Sequence, residues 1–141
     1  MPVQRAATVE LRTSLFEDAV DIVEREYGSD LSLDDIARRV ASSRRQLQRA
    51  YTEIGHTTFR DHVTAIRMRR ASEMLQRSDL TVREVANNVG YRQPAQFAKA
   101  FRRALGVAPS AYRQGGGAPS LTGLRPSAAA AHAPIAAAPA I

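Results

Sequence analysis

Several long polar side chains crowd one short stretch, SRRQLQRAYTE. On a helix, Leu47, Ala50 and Tyr51 share one apolar stripe, which leaves Arg44, Arg45, Gln48 and Arg49 facing outward. An arginine fork matches guanine O6 and N7, and a glutamine carboxamide matches adenine N6 and N7. Such a face can therefore read base edges in a DNA major groove. A solvated basic face touching only phosphates would use the same residues without reading sequence. A second stretch, PAQFAKAFRRAL, buries Phe97, Phe101 and Leu105 and exposes Gln96 and Lys99, while Ala95 offers an apolar contact to a thymine methyl. Arg92, Arg102 and Arg103 beside it suit phosphate anchoring or plain surface charge.

Other chemistry is poorly served. His56, His62 and His132 lack helical ligand spacing and a carboxylate cluster, so neither a metal nor another cofactor is expected. Phe59, Phe97, Phe101 and Met74 read as core by spacing. Arg67, Arg69 and Arg70 either meet a nucleic-acid backbone or pair along their own helix with Asp61 and Glu73. No nucleophile-base pair, glycine-rich phosphate loop or paired-carboxylate site is evident, so an enzyme is not expected.

The elements that must hold these faces are helices. Between residues 14 and 113 apolar residues recur at three and four, and no strand pattern is convincing. A first helix is expected from Ser14 to about Tyr27, with Phe16, Ala19, Val20, Val23 and Tyr27 as its stripe, a Ser14–Glu17 capping box and Gly28 as its stop. Capping boxes at Ser43–Gln46 and Thr81–Glu84, weaker ones at Ser32–Asp35 and Thr58–Asp61, and Pro94 mark five further starts. Gly106 with Pro109 closes the last helix.

Two segments repeat. LSLDDIARRVASSRRQLQRAY (31–51) pairs with LTVREVANNVGYRQPAQFAKAF (80–101), with Leu33, Ile36, Ala37 and Val40 matching Val82, Val85, Ala86 and Val89 at an offset of 49. Each copy is a short helix, a tight turn and a second helix, the helix-turn-helix pattern. Ala37 and Ala86 fit a close helix crossing and Gly90 fits the turn. Ala41 holds the glycine position in the first copy, where a left-handed backbone costs on the order of 1 kcal/mol relative to glycine. Between the copies, Phe59, Val63, Ile66, Ala71, Met74 and Leu75 form one stripe of a linker helix about 28 Å long. That length suits two reading helices near the roughly 34 Å repeat of successive major grooves.

The stretch LTVREVANNVGYRQPAQFAKAFRRALGVAPSAYR closely resembles the C-terminal signature of the AraC/XylS family of bacterial transcription regulators, including Tyr91, Phe97, Phe101 and the closing GVAPSAYR. LSLDDIARRVASSRRQLQRAY and RMRRASEML are similar to that family's first helix-turn-helix and linker helix. The resemblance covers about residues 14–113. Ala41 departs from the family's usual glycine, and Gly55-His56 places a glycine one residue early. The resemblance implies base contacts at Arg45, Gln48 and Arg49, a stand-alone DNA-binding domain, and RNA polymerase as a further partner.

The fold class expected is therefore all-α: a flexible N-terminus (1–13), a first helix-turn-helix about 32–54, a linker helix about 58–77, a second helix-turn-helix about 81–105, and a disordered tail (114–141). The tail expectation rests on composition, since 18 of its 28 residues are Gly, Ala or Pro and all eight aromatics lie between Phe16 and Tyr112.

Charge supports the same reading. Among 141 residues, 19 arginines and Lys99 face 14 acids, a net +6, but residues 1–37 hold nine acids against three arginines, while 38–113 hold 16 bases against five acids. A basic module suits duplex DNA. With no cysteine, disulfide frameworks, thiolate zinc sites and cysteine nucleophiles are excluded, and a reducing, cytoplasmic setting is expected. No signal peptide or spanning helix is read from the ends. The reading that follows is a sequence-specific transcription regulator that binds promoter DNA as a monomer through two reading helices. The alternative is a protein-interaction adaptor that engages a basic partner through Glu17, Asp18, Asp21, Glu24 and Glu26 of its acidic first helix.

Overall fold

The computed structural model describes residues 2–115, all helices and turns: α1 (Pro2–Glu26), α2 (Leu33–Arg39), α3 (Arg44–Ala50), a π-helical turn (Tyr51–Gly55), α4 (Phe59–Arg77), α5 (Val82–Asn88), α6 (Pro94–Leu105) and α7 (Pro109–Gly115). Among the described residues there is no strand, and no helix is long and apolar enough to cross a membrane. The predicted disordered tail lies outside the described residues from position 116 onward. Gln114 and Gly115, expected in that tail, belong to α7.

Three further boundaries differ from expectation. Residues 2–13, expected to be flexible, are helical, so Ser14 lies inside α1 and caps nothing. With no glycine or proline after Pro2, nothing stops the helix short of Ser14. Thr13 Oγ1 donates back to Val9 O at 2.8 Å, and Arg12 pairs with Glu53 of the π-helical turn. Tyr51–Gly55 continues α3 as a π-helical turn that periodicity did not reveal. Helix α7 adds one more start beyond the six read from capping signals, because Pro109 opens a helix as well as closing the previous connection.

The described chain divides into two compact units. The first holds α1, α2, α3, the π-helical turn and the start of α4. Its core joins Leu15, Phe16, Ala19 and Ile22 of α1 to Ile36, Ala37, Leu47, Ala50 and Tyr51. Leu15 and Ile22 widen the stripe read from sequence, while Val20 is only half-buried. Tyr51 and Phe16 meet edge to face at 5.0 Å, and the Tyr51 hydroxyl is 2.8 Å from Nδ1 of the fully buried His62. Burial pushes the Tyr51 phenol well above its ordinary range. Arg39 grips Glu26 through two bonds of 2.8 and 2.6 Å, and this hydrogen bonding holds the Glu26 carboxyl below the usual range.

The second unit holds residues 27–30, most of α4, and α5 to α7. Met68, Ala71 and Leu75 of α4 pack with Val85, Ala86, Val89, Phe97, Phe101, Leu105 and Tyr112. An aromatic row runs Tyr91, Phe97, Phe101, Tyr112 at centroid spacings of 5.8, 5.7 and 5.3 Å. Arg113 donates to Leu75 O at 3.0 Å and Ser78 O at 3.4 Å, satisfying carbonyls at the C-terminal end of α4.

Candidate nucleic-acid interface

Each unit carries one helix-turn-helix, and local chemistry builds each. Helix α2 starts where Ser32 Oγ accepts from Asp35 N at 3.1 Å, and α5 where Thr81 and Glu84 close a reciprocal capping box. The buried Ala37 and Ala86 carry no side chain beyond Cβ, which lets the following helix cross closely. Both turns then repeat the same bonds. Ala41 N donates to Arg38 O and Ser42 N to Ala37 O, at 3.1 and 2.8 Å; Gly90 N donates to Asn87 O and Tyr91 N to Ala86 O, at 3.1 and 2.9 Å. Ala41 adopts φ +57° and Gly90 φ +99°, so the first copy makes the left-handed turn despite its alanine.

Helix α3 begins after Ser43, whose Oγ accepts from Gln46 N at 3.1 Å. Leu47 and Ala50 are buried on it and Tyr51 follows. Arg44, Arg45, Gln48 and Arg49 are all exposed, so the structure brings the four predicted residues onto one outward surface. Arg44 is 3.3 Å from Asp34, with both side chains more than half exposed. Such a surface pair contributes little and leaves the arginine available to a stronger anion.

Helix α6 begins after Gln93 with Pro94 in its first turn and ends on Gly106 at φ +86°. Phe97, Phe101 and Leu105 are buried; Ala95, Gln96, Lys99, Arg102 and Arg103 are exposed. Ala95, Gln96, Lys99 and Arg103 recur at three- and four-residue spacing on one face. Arg92 stands apart from that face, in the turn before the helix, 89% exposed and 3.9 Å from Asp30.

Two roles were not read from sequence. Arg67 is engaged within its own unit: its Nε donates to Tyr27 O and its Nη2 to Ser29 O, both at 2.8 Å, and its guanidinium lies 5.7 Å from the Tyr91 ring centroid. It braces the turn ahead of α6. Arg70 does pair with Glu73, at 3.5 Å. Gln46, assigned to a cap from sequence, is exposed on α3 and uses only its backbone N–H toward Ser43 among the described bonds. On the acidic helix, Asp21 pairs with Arg25 and Glu26 with Arg39, which takes two of the five acids of the adaptor reading into contacts within the unit.

Comparison with known proteins identifies the arrangement. A family model described as a helix-turn-helix domain matches residues 36–115. The Msm operon regulatory protein of Streptococcus mutans is 30% identical over 93 residues, which is 66% of this chain and 34% of that protein. This chain thus spans about a third of that relative's length. A Chromobacterium violaceum transcriptional regulator with an AraC-type DNA-binding domain superposes with a TM-score of 0.68 at 27% identity, covering 72% of this chain and 90% of that one. The DNA-binding domain of the global transcriptional factor AdpA, solved with a target DNA, gives 0.68 at 28% identity, covering 71% and 90%. With two helix-turn-helix copies in sequence and structure and a family model spanning more than half its length, the chain belongs to the AraC-type helix-turn-helix family of transcriptional regulators.

Proposed function

We propose that this protein is a sequence-specific regulator of transcription that binds promoter DNA as a monomer, with α3 and α6 each entering a major groove. One observation carries the reading. In both units a left-handed turn delivers a helix whose apolar residues, Leu47 and Tyr51 or Phe97 and Phe101, are buried, while the opposite surface shows arginine, lysine and glutamine. Arg45, Gln48 and Arg49 act as the principal base readers, Gln96, Lys99 and Ala95 as the lesser set, and Arg44, Arg92 and Arg103 as phosphate anchors. The likeness to a DNA-binding domain solved on its target supports duplex DNA as the partner.

Selection of bound duplexes from a random pool with the full chain tests it, followed by mobility shift of the selected site against excess non-specific competitor. The expected result is an enriched motif whose band survives competitor. Failure to enrich any motif would refute sequence-specific binding and favour the adaptor reading.

A further inference from the structure

The two copies keep an offset of 49 through the turn and change to 50 at the start of the second helix. Turn bonds match at 49: Ser42 N to Ala37 O, and Tyr91 N to Ala86 O. Beyond the turn they match at 50: Leu47 N donates to Ser43 O at 3.0 Å, and Phe97 N to Gln93 O at 3.1 Å. The capping residues Ser43 and Gln93, the fully buried Leu47 and Phe97, and the buried Tyr51 and Phe101 keep that offset. The second turn therefore holds one residue more than the first, between Tyr91 and the Gln93 cap, and that residue is Arg92.

This register decides which exposed side chains are equivalent. Arg45 matches Ala95, Arg49 matches Lys99, and Gln46 matches Gln96; Gln48 falls opposite the half-buried Ala98. Both Gln46 and Gln96 occupy the third helical position, both are exposed, and both donate their backbone N–H to the capping residue, at 3.1 and 3.0 Å. Glutamine is thus the one side chain that the two surfaces share at a matched exposed position of the first two turns.

Resting on the duplex-binding reading above, we infer that Gln46 and Gln96 are a matched pair of readers, each presenting its carboxamide to an adenine at the same place in its own half-site. The carboxamide N–H donates to adenine N7 and the carbonyl oxygen accepts from N6–H. The half-sites then share this adenine and diverge around it, because Arg45 and Arg49 stand where the second copy has Ala95 and Lys99.

The test selects sites from a random duplex pool with the full-length chain and with Gln46→Ala, Gln96→Ala, Gln48→Ala and Gln46→Glu. Both glutamines are exposed, so melting temperatures should match the parent. Gln46→Ala should abolish preference for adenine at one position of one half-site and weaken binding to the parent site about 5- to 150-fold. Gln96→Ala should do the same at the matching position of the other half-site. Gln46→Glu should move the preference toward cytosine, whose N4 amino group donates to a carboxylate. If Gln46→Ala keeps the parent profile, or Gln48→Ala alone removes the adenine, the pairing is wrong while specific binding stands. A parent chain that selects no motif overturns both.

Discussion

Ala41 and Gly90 stand at one place in two copies of the same turn, both with positive φ, and Gly90 lies under the Arg67 side chain. A Cβ on Gly90 would come within 2.9 Å of the Arg67 guanidinium, which Tyr27 O and Ser29 O hold in place. Ala41 carries its Cβ at φ +57°, in the left-handed region that strains a residue other than glycine. Ala41→Gly should therefore raise stability by about 0.5 kcal/mol, strain relief of about 1 kcal/mol outweighing the entropy of a freer unfolded chain. Gly90→Ala should lower it by about 1–3 kcal/mol, strain and collision adding. Urea midpoints of the two variants check the contrast, and equal shifts of one sign would contradict it.

Gly55 and Phe16 make a second such pair. A Cβ on Gly55 would meet Phe16 Cε1 at 2.5 Å, and the Phe16 ring is itself packed edge to face on Tyr51. Gly55→Ala should cost about 1–3 kcal/mol. Trimming the ring with Phe16→Leu should recover part of that, so a double-mutant cycle should give a coupling of at least about 0.5 kcal/mol.

The early glycine of Gly55-His56 thereby gains a physical reason. His56 takes the left-handed conformation, φ +53°, and the glycine is placed one residue earlier because Phe16 presses on its backbone. A single chain's sequence shows the displaced glycine but not the ring against it, since Phe16 is 39 positions away. The buried faces of α3 and α6 and the linker helix were legible because three- and four-residue spacing encodes them. Residues 2–13 were not, since Ser14 with Glu17 imitates a helix start and nothing local reveals that Arg12 pairs with Glu53. The equivalence of Gln46 and Gln96 was hidden by a constant offset of 49, which the extra residue Arg92 breaks. The bracing contacts of Arg67 were not legible, because its partners are backbone carbonyls 38 and 40 positions away.

Tyr51 gives a pH dependence. Burial raises its phenol pKa in the folded protein, so the unfolded chain ionises first, near the ordinary value of about 10. The stabilisation is fully present below that pH and is lost as pH rises above it. Tyr51→Phe should remove this part of the alkaline slope. At pH 7 it should cost about 1–3 kcal/mol, because buried His62 loses the hydroxyl at its Nδ1. Urea unfolding of both proteins at pH 7 and 10.5 checks the sign; an unchanged slope would contradict it.

Arg49 and Lys99 occupy matched positions with different chemistry. Arg49→Ala should cost about 1–3 kcal/mol of binding and relax one base pair, as loss of a bidentate guanine contact does. Lys99→Ala should relax base preference less than Arg49→Ala does, because a lone ammonium lacks the bidentate fork, and should reduce the salt slope by about one unit if it mainly meets phosphate. Binding of both variants to a panel of single-base substitutions separates the two effects, and a larger change of base preference for Lys99→Ala would reverse the assignment.

Equilibrium binding of the full chain to its selected duplex across a salt series is the most direct test that the exposed cationic faces of α3 and α6 meet DNA. With about 6–10 phosphate contacts, the association constant should fall roughly 10³- to 10⁵-fold between 50 and 200 mM salt, as arginines release condensed counterions. A binding constant that stays flat over that range would contradict a DNA-binding role for these helices.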